Sequence, residues 1–211
     1  MKPSWPGCRG WLGFGAVLQG WAWTKQGQAE EGIAQIRKGL VARQAIGAGI
    51  FQSYNLALLA EACGKAGQAE EGLAALVEAL TVVDKSSERF YEAELYRLKG
   101  ELTLAQFSVP GLESSVQTPQ SAFRLPPPSG GNPQSEAEAC FLKAIEVARA
   151  QSAKSLELRA VMSLARLWQS QGKQREAHQM LSEIYHWFTE GFDTKDLQEA
   201  KALLDELPEG E

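Results

Sequence analysis

The chain has 211 residues, 44% of them hydrophobic, so it is long enough to bury a sizeable core in one domain or one short solenoid. Its formal net charge of −5 and its lack of a Lys/Arg cluster argue against nucleic acid or an anionic membrane as a partner. Three cysteines without metal-ligand spacing (Cys8, Cys63 and Cys140) favour free thiols in a reducing compartment, and we expect a cytoplasmic protein.

The N-terminal segment of residues 1 to 10 matches nothing downstream, and we expect a ragged start of a once longer chain. Lys2 and Arg9 precede an apolar run at 11 to 18, as in a secretory signal. However, Gly13 and Gly15 interrupt that run, and no small-x-small cleavage site follows it. The segment is therefore not predicted to be a signal peptide. No stretch of the chain approaches the roughly 18 apolar residues of a membrane span.

The hexapeptide Gly-Gln-Ala-Glu-Glu-Gly occurs at 27 to 32 and, letter for letter, at 67 to 72. Repetition at a fixed period of this size indicates a stack of similar supersecondary units. Apolar residues follow each copy at i, i+3 and i+7, which is one face of an α-helix. They are Ile33, Ile36 and Leu40 after the first copy, and Leu73, Leu76 and Leu80 after the second.

Each hexapeptide is predicted to be the turn between two antiparallel helices. Gly27 and Gly67 can take the left-handed conformation that ends one helix, and the two acidic residues suit the N-terminus of the next. A helix must therefore precede each turn. We expect these first helices at about 12–25, 50–65, 88–106 and 154–171, with Cys63 and Phe90 among their apolar positions.

The third repeat contains an insertion, because matched positions in successive repeats are spaced by 40, 65 and 40 residues. Residues 106 to 133 hold six of the nine prolines and predict a solvated, disordered loop. Alternatively, its few apolar residues could dock on the groove described below: Leu112, Val116, Phe123 and Leu125. Pro126 to Pro128 lack the P-x-x-P spacing with flanking basic residues of an SH3 ligand. The next helix is predicted to begin at Ser135 with a capping box to Glu138.

The predicted fold is all-α, a right-handed α-α superhelix of about four helical pairs plus a C-terminal capping helix. The repeat domain spans 11 to 207, with repeats at about 11–46, 47–86, 87–151 and 152–191. The capping helix is expected at 194–206, with Asp193 as its N-cap and Asp196 at the N3 position.

The helical pairs resemble the tetratricopeptide repeat (TPR), lengthened from about 34 to 40 residues. The resemblance rests on Leu-Ala or Gly in the first helix, Gly at the turn and Ala-x-x-x-Phe/Leu-x-x-Ala in the second helix. A HEAT-like repeat also fits the period but lacks supporting motif residues.

Five longer runs resemble the C-terminal repeat region of bacterial signalling proteins that carry a cyclase-like or other N-terminal domain and a predicted ATPase module. They are Gly-Trp-Ala at 20–22, Glu-Ala-Glu-Leu-Tyr-Arg-Leu-Lys-Gly-Glu-Leu at 92–102, Ala-Lys-Ser-Leu-Glu-Leu-Arg-Ala at 153–160, Ser-Leu-Ala-Arg-Leu-Trp at 163–168 and Trp-Phe-Thr-Glu-Gly-Phe-Asp-Thr at 187–194. The resemblance implies a detached or truncated repeat arm, since the chain lacks the cyclase and ATPase parts.

Catalytic patterns are missing from the sequence. A P-loop needs Gly-x-x-x-x-Gly-Lys-Ser/Thr, but Leu59 and Leu167 stand where the first glycine belongs before Gly64-Lys65 and Gly172-Lys173. No strand pattern carries the metal-binding aspartates of a cyclase. His178 and His186, eight residues apart on one predicted helix, cannot chelate one metal together. We expect no enzyme, no cofactor and no metal.

The function predicted from the sequence is a non-catalytic scaffold that binds a protein or peptide in a concave groove formed by the first helix of each pair. The mixture of side chains there suits a peptide with charges of both signs. The alternative is a small-molecule effector-sensing arm that regulates an ATPase or cyclase in another chain. The predicted groove residues are Phe14, Trp21, Lys25, Tyr54, Glu61, Lys65, Glu94, Arg97, Glu101, Arg159, Met162 and Arg166.

Overall fold

The computed structural model describes residues 6–47, 49–107 and 132–207, without the side chains of residues 6–10. Within these ranges the chain forms nine α-helices and no strand. The helices are α1 (Pro6–Lys25), α2 (Ala29–Gln44), α3 (Gln52–Lys65), α4 (Ala69–Ser86), α5 (Glu92–Phe107), α6 (Pro133–Ala150), α7 (Lys154–Ser170), α8 (Gln174–Tyr185) and α9 (Lys195–Glu206).

The helices form two layers that differ in how closely they pack. Each odd-numbered helix packs closely on the next odd one, from α1 through α9, whereas within the described ranges the backbone of each even-numbered helix approaches only its odd neighbours. Side chains alone join α2 to α4, through the ion pair of Arg37 with Glu71. Helix α9 packs on α7 and α8, in the place where the first helix of a fifth pair would lie. This arrangement confirms the predicted α-α superhelix.

The turns between paired helices, including both copies of the repeated hexapeptide, have the predicted geometry. Gly27, Gly67 and Gly172 have φ values of 90°, 73° and 79°, in the left-handed region that glycine adopts without strain. After each glycine, the next backbone N–H donates to a carbonyl five residues back. The bond from Gln68 to Cys63, for example, measures 2.8 Å. This is the Schellman closure of a helix C-terminus, so these glycines set the sharp return of the chain.

Several predicted helix starts differ from the structure. Helix α6 begins at Pro133, and its N-cap is Asn132, whose Oδ1 accepts a 3.1 Å bond from the N–H of Gln134, so the capping box at Ser135 is not used. Proline is pre-organised for the first helical position, which explains the earlier start. Helix α9 follows Thr194 instead of Asp193. Helix α1 begins at Pro6, earlier than the predicted start near 12.

Helix α5 begins at Glu92, later than the predicted start near 88, and this changes the environment of one aromatic residue. Phe90 lies in the turn before α5 and is 48% exposed, so its predicted place in the core is wrong. At its other end α5 runs to Phe107, beyond the predicted start of the insertion. The expectations for Leu112, Val116, Phe123, Leu125 and the Pro126 to Pro128 run lie outside the described residues.

Helices α1 and α2 pack through four glycines that face one another in pairs. A Cβ added to Gly20 would lie 2.5 Å from the carbonyl oxygen of Gly32, and one added to Gly39 would lie 2.6 Å from the carbonyl oxygen of Gly13. Backbone is thus in contact with backbone. The interface leaves no room for side chains at these positions.

Helices α5 and α6 pack in a different way, through a large aromatic ring against a glycine. Phe141, fully buried in α6, lies against Gly100 of α5, where an added Cβ would come within 2.5 Å of its ring. In the second pair, Cys63 is fully buried as predicted, and burial raises the pKa of its thiol to about 11. Each helical pair therefore closes around its own small residues and large apolar partners.

Gly32→Ala should destabilise the protein, since its added Cβ would lie 2.5 Å from the Gly20 carbonyl oxygen and 2.3 Å from Thr24 Oγ1. Overpacking of this kind costs about 1–3 kcal/mol and lowers the melting temperature by roughly 2–12 °C. Thermal unfolding followed by circular dichroism measures the effect. Gly15→Ala is the matched control, because no atom lies within 4 Å of its added Cβ. Equal losses in both variants would contradict the packing argument.

Replacing residues 108–131 by a short Gly/Ser linker should leave helicity and the melting temperature within a few degrees of the parent. The reason is that α5 and α6 already pack directly on each other, and about 1 kcal/mol shifts a chain of this size by roughly 2–4 °C. Phe141→Ala provides the comparison for lost packing, with an expected cost of about 3–5 kcal/mol. If the linker variant lost as much as Phe141→Ala, the replaced residues would be shown to contribute packing.

Candidate binding surface

The predicted groove residues come from α1, α3, α5 and α7, and we call the surface that these helices share the odd-helix face. Met162 does not belong to it, because it is 3% exposed and packs in the core cluster formed by α6, α7, α8 and α9. Its prediction as a groove residue is wrong. Its long apolar side chain is removed from water in that core.

One polar cluster joins α1 to α3 on the odd-helix face. Trp21 Nε1 donates a 2.7 Å bond to Glu61 Oε2, and Lys25 Nζ pairs with the other carboxylate oxygen while lying 4.9 Å from the Trp21 ring centroid. Burial alone would raise the pKa of Glu61, but the bonds from Lys25 and Trp21 lower it below its ordinary value. Burial and the nearby Lys25 ammonium lower the pKa of Lys65. The Glu61 carboxylate is thus bound within the protein.

A second polar cluster is centred on Arg97 of α5. Its Nε and Nη2 donate bonds of 2.9 and 2.7 Å to the two carboxylate oxygens of Glu94, and its Nη1 pairs with Glu101. Burial would lower the pKa of Arg97, but the bonds to these carboxylates raise it above its ordinary value. Ser163 of α7 donates a 2.9 Å bond to Glu101 Oε1, which connects α5 to α7.

The remaining predicted cations pair with the last helix. Arg159 Nε donates a 2.6 Å bond to Asp196 Oδ2, and Arg166 Nη2 lies 3.5 Å from Glu199 Oε2. Both bonds join α7 to α9. Together with the Arg97 cluster they form a chain of ionic contacts from α5 to α9. Most of the charged groups that were predicted to bind a peptide therefore already contact one another.

Aromatic rings form a continuous cluster beside these polar groups, and we call it the aromatic edge. Its ring centroids are spaced by 4.9 to 6.4 Å from one ring to the next, from α1 to the turn before α5. Three of the rings are substantially exposed to solvent: Trp11 at 68%, Phe90 at 48% and Phe51 at 36%. The members of the aromatic edge are Trp11, Phe14, Phe51, Tyr54, Phe90 and Tyr91.

Sequence reasoning found only two members of the aromatic edge on the predicted face, Phe14 and Tyr54. A signal for three others was present, since Trp11, Phe51 and Tyr91 follow one another at intervals of 40 residues, which is the repeat period. The same place in three successive repeats therefore carries an aromatic ring. A search for aromatic residues in repeat register would have identified it.

Phe51 is held in an unusual backbone conformation. Its φ of 61° lies in the left-handed region, which is strained for a residue with a side chain. Its backbone N–H donates to Glu88 Oε1, and Ser53 Oγ donates a 3.3 Å bond to Glu88 Oε2. The Glu88 carboxylate thereby fixes the start of α3 and the direction of the exposed Phe51 ring.

The described part of the chain offers no group of three His, Cys, Asp or Glu side chains arranged to hold a metal ion. Nδ1 of His186 lies 2.8 Å from the carbonyl oxygen of Ser182, one turn earlier on its own helix. Cys140 is half-buried, and burial raises the pKa of its thiol. None of the helices within these ranges has the length and hydropathy needed to cross a bilayer.

Comparison with known proteins identifies solved structures that have a similar fold. No protein-family model and no curated protein match the chain, but solved structures do. Two of them contain the nearly identical TPR-like repeats of a kinesin light chain-like protein from Podosopora anserina. One, a single-residue variant, has a TM-score of 0.59 and 14% identity over 91% of this chain and 82% of its own. The other has a TM-score of 0.60 and 15% identity over 97% and 87%.

At this level of identity the similarity shows the fold alone. The fold is a TPR-like helical solenoid, as the repeat pattern of the sequence predicted, and the HEAT-like alternative is not needed.

The Glu61 cluster predicts a pH-dependent contribution to stability. Because the folded-state pKa of Glu61 lies below the unfolded value, its ion pair stabilises the fold fully above the unfolded pKa, and this contribution is lost as pH falls through the folded pKa. Glu61→Gln should therefore lower the melting temperature near neutral pH and do so by less at about pH 3. A difference from the parent that stays constant across that range would contradict the assignment.

Proposed function

We propose that the chain is a non-catalytic interaction scaffold that binds a protein or peptide partner on the odd-helix face, in a concave groove whose apolar anchor is the aromatic edge. The observation that carries the proposal is the exposure of Trp11, Phe51 and Phe90 within one continuous ring cluster. Exposed apolar patches on soluble proteins mark interaction sites, and aromatic residues dominate the binding energy of interfaces.

The charged groups on this face fall into two kinds, those bound within the protein and those accessible to a partner. Glu61, Glu94 and Arg97 are bound to neighbours in the same protein, so a partner gains little from pairing with them. The exposed cation Lys65 at the margin remains accessible and would set orientation and association rate. The partner that fits is a peptide segment with one or two large apolar side chains and acidic residues beside them.

The wider context is also part of the proposal. The five sequence runs that resemble the repeat region of bacterial signalling proteins favour a repeat arm that works with an ATPase or cyclase module, in the cytoplasm and in signal transduction. The arm itself would bind a partner and would catalyse no reaction.

The test is a selection of peptides from a random-sequence display library on the full chain, followed by affinity measurements. Phe51→Ser with Phe90→Ser should weaken the selected peptides by about 30-fold or more, since aromatic anchors contribute about 2 kcal/mol or above. Val77→Ser with Leu142→Ser is the matched control, because these exposed apolar residues lie on α4 and α6. Peptides that bind both double variants and the parent equally would refute the proposed anchor.

A further inference from the structure

A cavity of about 550 Å³ lies between α2 and α3, with one wall residue contributed by α4. Its volume falls within the range of small-molecule sites in proteins. Leu40 and Leu56 supply part of an apolar lining, and Gln44 and Gln52 supply amide groups. The cavity is lined by residues other than those of the aromatic edge, so it is a separate feature of the molecule.

Asn55 is the residue of this cavity that needs explanation. It lines the cavity, has no solvent-exposed surface, and neither its Oδ1 nor its Nδ2 has a hydrogen-bond partner among the described residues. Buried side-chain amides are nearly always hydrogen-bonded, because an unpaired one loses its bonds to water without replacement. The same cost is smaller for Gln68 and Gln171, since each of them lacks a hydrogen-bond partner at one atom only and is half-exposed. A leucine of similar size would fill the place of Asn55 at no such cost.

The cavity wall next to Asn55 is fixed in advance. Arg43 is 7% exposed, its Nη2 donates to the carbonyl oxygen of Ile50, and its guanidinium carbon lies 5.4 Å from the Phe14 ring centroid. It lines the cavity from α2 and provides a planar cationic surface there. A ligand would therefore meet the bound Arg43 side chain and an apolar lining, with one unpaired amide directly beneath the surface.

We propose that this cavity binds a nucleobase-type ligand, a flat ring whose edge places a hydrogen-bond donor beside an acceptor, and that Asn55 pairs with that edge. An asparagine amide also offers a donor beside an acceptor, and it forms two parallel bonds with such an edge, as it does with adenine. Leucine side chains pack on the faces of the ring, and the volume holds a nucleoside. Both amide atoms lie beneath the cavity surface, so the proposed pairing requires the Asn55 side chain to turn toward the ligand.

The test titrates adenosine, guanosine, cytidine and uridine, and their 5′-monophosphates, into the full chain by calorimetry and thermal unfolding. At least one should raise the melting temperature by about 5–10 °C at about 100 times its Kd. If only the 5′-monophosphates bind, the ligand that supplies the flat ring is a nucleotide and not a free nucleoside. Asn55→Leu should melt at or above the temperature of the parent and bind at least about 10-fold more weakly. Gln68→Leu, which removes a partly unpaired amide outside the cavity, should bind as the parent does.

Nuclear magnetic resonance of the parent protein provides a measurement that needs no variant. The side-chain NH₂ resonances of Asn55 should shift on addition of the binding nucleoside. If no nucleoside or monophosphate binds, if Asn55→Leu binds as tightly as the parent, or if these resonances do not move, the proposal is wrong.

Discussion

The stack depends on how closely the two helices of each pair can approach. In the first pair, glycines face glycines, and the carbonyl oxygen of Gly32 occupies the space where Gly20 would carry a side chain. In the third pair, the same kind of space at Gly100 is filled by the Phe141 ring. Both arrangements bring helices together without voids, which close-packed interiors require. The positions of the odd helices, and of everything they carry, follow from these contacts.

Contacts between successive odd helices then fix the odd-helix face. Glu61 joins α3 to α1 through Trp21 and Lys25, and Glu101 joins α5 to α7 through Ser163. Because each carboxylate binds a group on the neighbouring odd helix, a shift of one helix against the next would break these bonds. The polar clusters therefore hold the framework, and the aromatic edge is the part of the face with apolar surface left exposed.

The sequence predicted the features that local chemistry determines. The left-handed glycines at 27 and 67, the 40-residue period and the buried Cys63 depend on short-range pattern, and the structure confirms them. Features set by tertiary contact were missed. Phe90 was assigned to the core because its spacing fits a helix, but the helix begins only at Glu92. Met162 fits the groove by register, yet its bulk is buried, and no local pattern could reveal the unpaired amide of Asn55.

The unequal packing of the two layers makes the solenoid an elastic body with one stiff side. Odd helices touch one another and are tied by short ionic bonds, so stretching that side breaks contacts, and compressing it meets closely packed atoms. Even helices have no close backbone contact with one another in the described ranges, and the Arg37–Glu71 ion pair that joins α2 to α4 is exposed, so it resists separation only weakly. We therefore expect bending to move mainly the even helices, while distances along the odd-helix face stay nearly constant. A partner bound there rests on a support of fixed length.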